Sequence, residues 1–141
     1  MSTQSNPIDP EQTNDFQLVV EVGNIYSEEG LTRVKLDTTG RILIEQQHDR
    51  EQTGSFSGEL DPESTERIFK ELPQFNWDQR FPPRPGLPDE AIVQWFFQEK
   101  PGSVSMLKVW IRDAEKPGSM ATALTLLRRA VERITDGKLY L

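Results

Sequence analysis

Apolar and polar residues alternate with a period of two in five segments of the chain, the pattern that a half-buried β-strand produces. The segment at 91–98 is apolar on both alternating sides, which predicts a central strand. Residues 54–60 place small side chains around Phe56 and could add a short edge strand. The motif Asp37-Thr-Thr-Gly40 separates two of the segments and indicates a hairpin turn. The five strand segments are 16–22, 32–36, 42–46, 91–98 and 104–111.

Two further stretches have the features of helices. Asp61 and Pro62 form a start signal, a capping carboxylate followed by proline at the first helical position, and Pro73 ends this helix. The second helix follows Pro117-Gly118-Ser119, and its apolar residues recur at helical spacing. Those residues are Met120, Ala123, Leu124, Leu127, Val131 and Ile134. The order of elements predicts an α+β fold in which an antiparallel sheet of about five strands carries two helices on one face.

Length and composition indicate one domain preceded by a polar N-terminal tail. The chain has 141 residues, the size of an ordinary single domain. Residues 1–15 are rich in serine, threonine, glutamine, asparagine and proline and hold little that could be buried, so we expect a disordered polar tail there. Residues 16–141 are then expected to form a single α+β domain.

The charge of the chain narrows the classes of partner. The formal net charge is −7, a field that repels nucleic-acid phosphates and anionic lipid, and the densest cationic group is only Arg128, Arg129 and Arg133. No apolar run is long enough to span a bilayer, and the first residues hold no apolar signal segment. We therefore expect a protein partner, favoured if it has a basic patch, and neither nucleic acid nor membrane. The absence of cysteine fits a reducing compartment, so we expect a cytoplasmic protein of a bacterial cell.

The candidate catalytic motifs are all incomplete. His48 precedes Asp49 in a polar run, but an exposed hairpin end supplies no nucleophile for it to activate. The pentapeptide at 54–58 has Phe56 where a nucleophile elbow needs serine. Asp37-Thr-Thr-Gly40 has one threonine more than the aspartic-protease signature, and no second copy exists. Metal-ligand and phosphate-loop spacings are also missing. The sequence therefore predicts no enzyme activity, no catalytic residue, no cofactor and no metal.

The proline-rich loop at 75–88 is the segment that most resembles a contact surface. Its prolines are stiff, so the loop loses little entropy on docking, and aromatic and arginine side chains dominate interface energetics. The alternative is that Phe75 and Trp77 fold back and cap the core, which we expect of at least one of them. With one strand residue added, the predicted partner-binding residues are Trp77, Arg80, Phe81, Arg84 and Phe96.

Three functional hypotheses follow from these patterns. The first is a non-enzymatic protein-interaction domain, an inhibitor, immunity or accessory protein, that uses the loop and part of the sheet. The second is a small-molecule-binding or weakly catalytic domain with a pocket between helix and sheet lined by Trp95, Trp110 and nearby acids. The third is a homo-oligomeric structural component associated through the strands at 91–98 and 104–111, where Phe96 and Trp110 could emerge away from the helices.

The layout also resembles that of a known group of small bacterial domains. The run Gly40-Arg-Ile-Leu-Ile-Glu45 is followed by Gly58-Glu-Leu-Asp-Pro-Glu63, by a short helix ending Leu72-Pro-Gln-Phe75, and by a proline-bearing loop with Asp89 before a strand. In this order of elements, over residues 16–135, the chain resembles the emfourin-type inhibitors of thermolysin-like metalloproteases. The longer proline-rich loop and the acidic tail depart from that layout, and no inhibitory residue is carried over. The resemblance implies that a protein inhibitor belongs among the functional hypotheses.

Overall fold

Six antiparallel strands form one sheet in the computed structural model of the chain, which describes residues 16–23, 30–48, 51–79, 90–139 and 141. The spatial order of the strands is β4-β3-β2-β1-β5-β6, so β1 joins the N-terminal and C-terminal halves of the sheet. The strands are β1 Leu18–Gly23, β2 Leu31–Leu36, β3 Arg41–His48, β4 Glu51–Glu59, β5 Ile92–Lys100 and β6 Ser103–Trp110. The α+β class and the antiparallel sheet are confirmed, with β4 as a full strand in addition to the five predicted.

Two long helices and one single-turn helix complete the described elements. Helix α1, Pro62–Glu71, continues into one 3-10 turn at Leu72–Gln74; α2 is the single turn Ile111–Ala114, and α3 is Ser119–Ile134. Asp61 caps α1 by accepting a hydrogen bond from the Ser64 amide at 2.9 Å, as its sequence position predicts. No helix in the described part of the chain is long and apolar enough to cross a membrane.

The core lies against one face of the sheet, which we call the inner face. Cross-strand register puts Val20 opposite Val34 on one side and opposite Trp95 on the other, and all three side chains are fully buried. Both long helices contribute to this same core, and Phe69 of α1 lies 6.3 Å from Phe97 of β5 between ring centroids. The alternation read from the sequence therefore produced one buried face, covered by the predicted helices.

Small residues in β4 let α3 approach the sheet closely. Phe56 packs against the core and lies opposite Ile44. Two residues on, a Cβ atom added at Gly58 would lie 3.2 Å from the Cδ1 atom of Ile134 in α3. A larger side chain at this position would push α3 away from the sheet. Glycine at position 58 therefore allows the close contact between α3 and β4.

The turn between β2 and β3 is built around one carboxylate. Asp37 Oδ1 accepts hydrogen bonds from the amide of Thr39 at 2.9 Å, from its hydroxyl at 2.6 Å and from the Arg41 amide at 3.0 Å. Burial alone would raise the pKa of Asp37, but these hydrogen bonds and the nearby Arg41 guanidinium outweigh burial and hold the pKa below its ordinary 3.8. Gly40 completes the turn with a φ of +99°.

Replacing Gly40 should cost more stability than replacing a second turn glycine. A Cβ at Gly40 would lie 2.6 Å from the Leu60 carbonyl oxygen, whereas one at Gly102 (φ +80°) would meet nothing within 4 Å. We expect Gly40→Ala to lower the free energy of unfolding by about 3 kcal/mol and Gly102→Ala by about 1 kcal/mol. Urea denaturation measures both, and equal losses would contradict the close approach at Gly40.

The Asp37 carboxylate should make stability depend on pH in the acid range. Because its folded pKa lies below the unfolded value of 3.8, its contribution is complete above pH 3.8 and is lost as the pH falls through the folded pKa. We expect the wild type to exceed Asp37→Asn in unfolding free energy by a margin that shrinks between about pH 5 and about pH 2. A margin that stays constant over that range, measured by urea denaturation, would contradict the depressed pKa.

Candidate functional site

The face of the sheet away from α1 and α3, here called the outer face, carries an apolar row at one side. Met106 of β6 lies opposite Phe96 of β5, and Phe96 lies opposite Val19 of β1. Val19 is buried and Phe96 is half-buried. The row therefore runs from a central strand outward to β6 and becomes more exposed along the way.

A charged row runs beside the apolar one on the outer face. Arg33 Nε donates to Glu21 Oε2 at 2.7 Å, its Nη1 lies 3.7 Å from Glu45 Oε1, and Lys35 Nζ lies 3.5 Å from the same Glu45 oxygen. Glu21, Arg33 and Lys35 are all buried. Each ion therefore has an opposite charge in contact, which is the condition under which charged side chains tolerate removal from water.

The exposed end of the apolar row is at β6. Val104 is 49% exposed and Met106 is 58% exposed, and no other large hydrophobic side chain in the described ranges is classed as exposed. Met106 is held beside Gln94, whose amide nitrogen lies 3.3 Å from its sulfur. Residues 99–106, the tip of the β5–β6 hairpin, are exposed throughout. The hairpin thus presents apolar side chains to solvent on a rigid support.

Trp77, one of the predicted partner-binding residues, packs against the core. Its ring stacks on Phe75 with centroids 5.5 Å apart and lies 5.9 Å from Phe97, and its indole nitrogen donates to the Leu72 carbonyl at 2.9 Å. Phe75 in turn meets Trp95 edge-on at 4.8 Å. The alternative that these two loop aromatics cap the core is confirmed. A part for Trp77 in partner binding stays a prediction.

Phe96 is the predicted residue that the structure places on the candidate surface. It lies in the apolar row of the outer face, next to Met106. Arg80, Phe81 and Arg84 lie outside the described residues. The structure therefore brings Phe96 together with Val104 and Met106, which the sequence did not single out.

One sequence feature could have pointed to Val104 and Met106. The neighbouring inner-face position, Ser105, is polar, so this half of β6 has no apolar residue on the core side. Its apolar side chains then all fall on the outer face. A strand half that is apolar only on its outer side is typical of a contact surface.

The two tryptophans of the predicted pocket lie on opposite faces of the sheet. Trp95 lies on the inner face opposite Leu107, whereas Trp110 belongs to the outer-face set of β6, so the two side chains do not share a pocket. A cavity of about 520 Å³ does exist at one end of the sheet, with Val22, Thr32 and Ile111 in its wall. Arg128 and Lys138 are its cationic lining residues. Arg128 is already held by Glu115 at 2.6 Å and by the Leu141 oxygen at 3.0 Å.

The remaining candidates for chemistry are dispersed. His48 ends β3 opposite Glu51, at the hairpin end where the sequence placed it; Asp49 is outside the described residues. Within the described ranges, no three histidine or acidic side chains come close enough together to hold a metal ion. Apart from the ion pairs of the outer face, the described residues offer a partner apolar side chains and the shape of the surface.

Comparison with known proteins gives no family for the chain. No protein-family model matches it, and no curated protein matches its sequence. The layout-level resemblance to emfourin-type inhibitors therefore stays a prediction, and the functional argument depends on the surface itself.

The charged row should matter for stability because it is buried. Removal of Arg33 leaves the buried carboxylate of Glu21 without the guanidinium that lies 2.7 Å from it. We therefore expect Arg33→Ala to lower the free energy of unfolding by about 3 kcal/mol. A matched control is Arg67→Ala, since Arg67 is 60% exposed and pairs with Glu71 along α1. We expect the control to cost less than about 0.5 kcal/mol in the same urea denaturation experiment. Similar small losses in both variants would show that the row does not need its cation.

Proposed function

We propose that the chain is a non-enzymatic protein-interaction domain that binds a partner protein through the outer face at β5 and β6, with the loop at 75–88 as a second contact. The observation that carries this proposal is the exposure of Val104 and Met106 at the end of an apolar row. Exposed apolar side chains cost free energy in water, and grouped ones mark binding surfaces more often than scattered ones do.

The support under this surface is rigid, which favours recognition. Phe96 and Met106 lie on paired strands, and the inner side of the same strands is anchored by fully buried Trp95 and by Leu107. A surface that is ordered before binding loses little conformational entropy when a partner docks. Residues of the types Met and Phe are also enriched at protein interfaces.

The charged groups of the outer face support binding rather than catalysis. Glu21, Arg33 and Glu45 are engaged with one another, so each carboxylate has a cation in contact. A general acid or base needs a side chain positioned to exchange a proton with a substrate. Ion pairs of this kind hold the strands in place and leave the apolar row as the feature that a partner can read.

Within this function, several classes of protein fit. The emfourin-type resemblance supports a protein inhibitor, while an immunity or accessory protein would use the same surface, in our proposal within the cytoplasm of a bacterial cell. A small-molecule-binding or weakly catalytic domain is a second, alternative function, because the cavity of about 520 Å³ has the volume of a ligand pocket. A homo-oligomeric component is the third, since β6 is the last strand of the described sheet and carries the exposed residues.

Charged substitutions in the apolar row should abolish partner capture. We expect the double variant Val104→Asp/Met106→Asp to fold normally, because both residues are exposed, and to lower partner affinity by about tenfold or more. The measurement is quantitative affinity capture from an extract of the source cells, at low and at high salt, with the double variant and the wild type in parallel.

The matched control is Ser55→Asp/Ser57→Asp. These exposed serines lie on β4 at the opposite edge of the sheet and, by the alternation, on the same outer face, so the control adds the same charge far from β6. The control should capture the partner as the wild type does. Equal loss in both variants, or capture that neither variant changes, would contradict a binding surface at β5 and β6.

A further inference from the structure

Sulfur chemistry in this chain belongs to methionine. The chain holds three methionines and no cysteine, so no thiol competes with them for an oxidant. Two of the three, Met106 and Met120, lie within the described residues. Met106 is 58% exposed, whereas Met120 is half-buried and packs against the core. Because an oxidant must reach the sulfur atom, Met106 is the more accessible of the two to oxidation.

A hydrogen-bond donor lies beside the sulfur atom of Met106. The side-chain amide nitrogen of Gln94, on the neighbouring strand β5, is 3.3 Å from that sulfur. A thioether sulfur is only a weak acceptor, whereas the oxygen of a sulfoxide carries more negative charge and accepts more strongly. The Gln94 amide and water can therefore satisfy a new oxygen on Met106 while the protein is free. Oxidation at this position should leave the fold intact.

The place of Met106 in the apolar row decides what its oxidation does to binding. Met106 lies opposite Phe96 and shares the exposed end of the row with Val104. A partner that packs on this row removes the Met106 side chain from water. Burial favours a thioether, but a sulfoxide would lose its hydrating water, which costs free energy unless the partner replaces those hydrogen bonds. The two oxidation states therefore differ in affinity for a partner much more than in stability of the free fold.

We propose that Met106 is a modification site at which oxidation by a hydroperoxide releases the partner protein. The Met106 sulfur attacks one peroxide oxygen, so that an S–O bond forms as the O–O bond breaks. The proton of the transferred hydroxyl group passes to the leaving oxygen. The sulfur is thereby oxidised by two electrons to the sulfoxide, and hydrogen peroxide is reduced to water. A methionine sulfoxide reductase, with a dithiol as reductant, reverses the change. This regulation rests on the proposed function and deepens it.

The chemical part of the proposal is tested on the full chain without a partner. The chain is treated with hydrogen peroxide, and peptide mass spectrometry follows sulfoxide formation at Met106 and at Met120. We expect Met106 to oxidise about fivefold faster or more in the folded protein, and the two rates to agree within about twofold in urea, where the fold no longer shields Met120. Equal rates in the folded protein overturn the proposal. A fold that is lost when Met106 is oxidised also overturns it.

Two substitutions separate the chemistry of Met106 from its shape in the partner-capture experiment. Each chain is treated with peroxide and freed of it before it meets the extract. Wild type should lose about tenfold in partner affinity and regain it after treatment with the reductase. Met106→Leu keeps an apolar side chain that peroxide does not oxidise, so it should capture the partner before and after treatment. Met106→Gln introduces a polar group and should weaken capture about tenfold without any oxidant.

Met120→Leu is the matched control, and it should stay as sensitive to peroxide as the wild type. Peroxide that weakens capture by Met106→Leu as much as by the wild type overturns the proposal, because the effect then arises elsewhere in the chain. Full capture by wild type with completely oxidised Met106 overturns it as well.

These outcomes are separable from the proposed function. If oxidation has no effect while Val104→Asp/Met106→Asp still abolishes capture, the surface binds a partner and only its control by oxidation is wrong. If capture does not depend on Val104 and Met106, both proposals fail.

Discussion

One antiparallel register, shared by six strands, is the constraint on which the structure depends. It collects the core side chains of the strands on the inner face, and a slip of one residue would turn a whole strand outward. The outer face reinforces the same register, because Glu21 lies opposite Arg33 and Arg33 lies opposite Glu45 only in this pairing. Buried apolar contacts thus supply the stability, and the cross-strand ion pairs make this register more favourable than its neighbours.

The surface proposed for recognition is a consequence of that register. In β6, the alternation that puts Leu107 and Val109 into the core also directs their backbone groups to β5, in phase with the hydrogen bond from the Ile111 amide to the Ala91 carbonyl. The alternate residues must then turn both side chain and backbone away from the protein interior. Exposed side chains and outward backbone at Val104 and Met106 are therefore one geometric fact, and the same two residues present both to a partner.

Local patterns in the sequence predicted much of the fold. Alternation identified the strands, and the capping pair Asp61 and Pro62 identified α1, because both signals are short-range. The full length of β4 was underestimated, since glycines and serines around Phe56 weaken the strand signal while satisfying the approach of α3. Helix α2 was missed because alternation continues into Ile111, where the chain turns helical.

The candidate site was harder to predict because it depends on strand order. The sequence placed Phe96 on a contact surface and suggested that aromatic strand residues could emerge away from the helices. It could not single out Val104 or Met106, since their exposure depends on the place of β6 at the end of the described sheet, which is set by the long-range pairing of β1 with β5. Trp77 shows the converse, an aromatic loop residue whose contacts lie mainly with Phe75 and Phe97.

Hydrogen–deuterium exchange of individual backbone amides in the free protein tests the central claim most directly. The amides of Leu107 and Val109 point to β5 and should exchange slowly, whereas those of Val104 and Met106 point outward and should exchange orders of magnitude faster. A partner that binds this surface should then slow the amides of Val104 and Met106 selectively. Protection of the Met106 amide equal to that of Leu107 in the free monomer would contradict the proposed binding surface at β6, because a covered residue presents nothing to a partner.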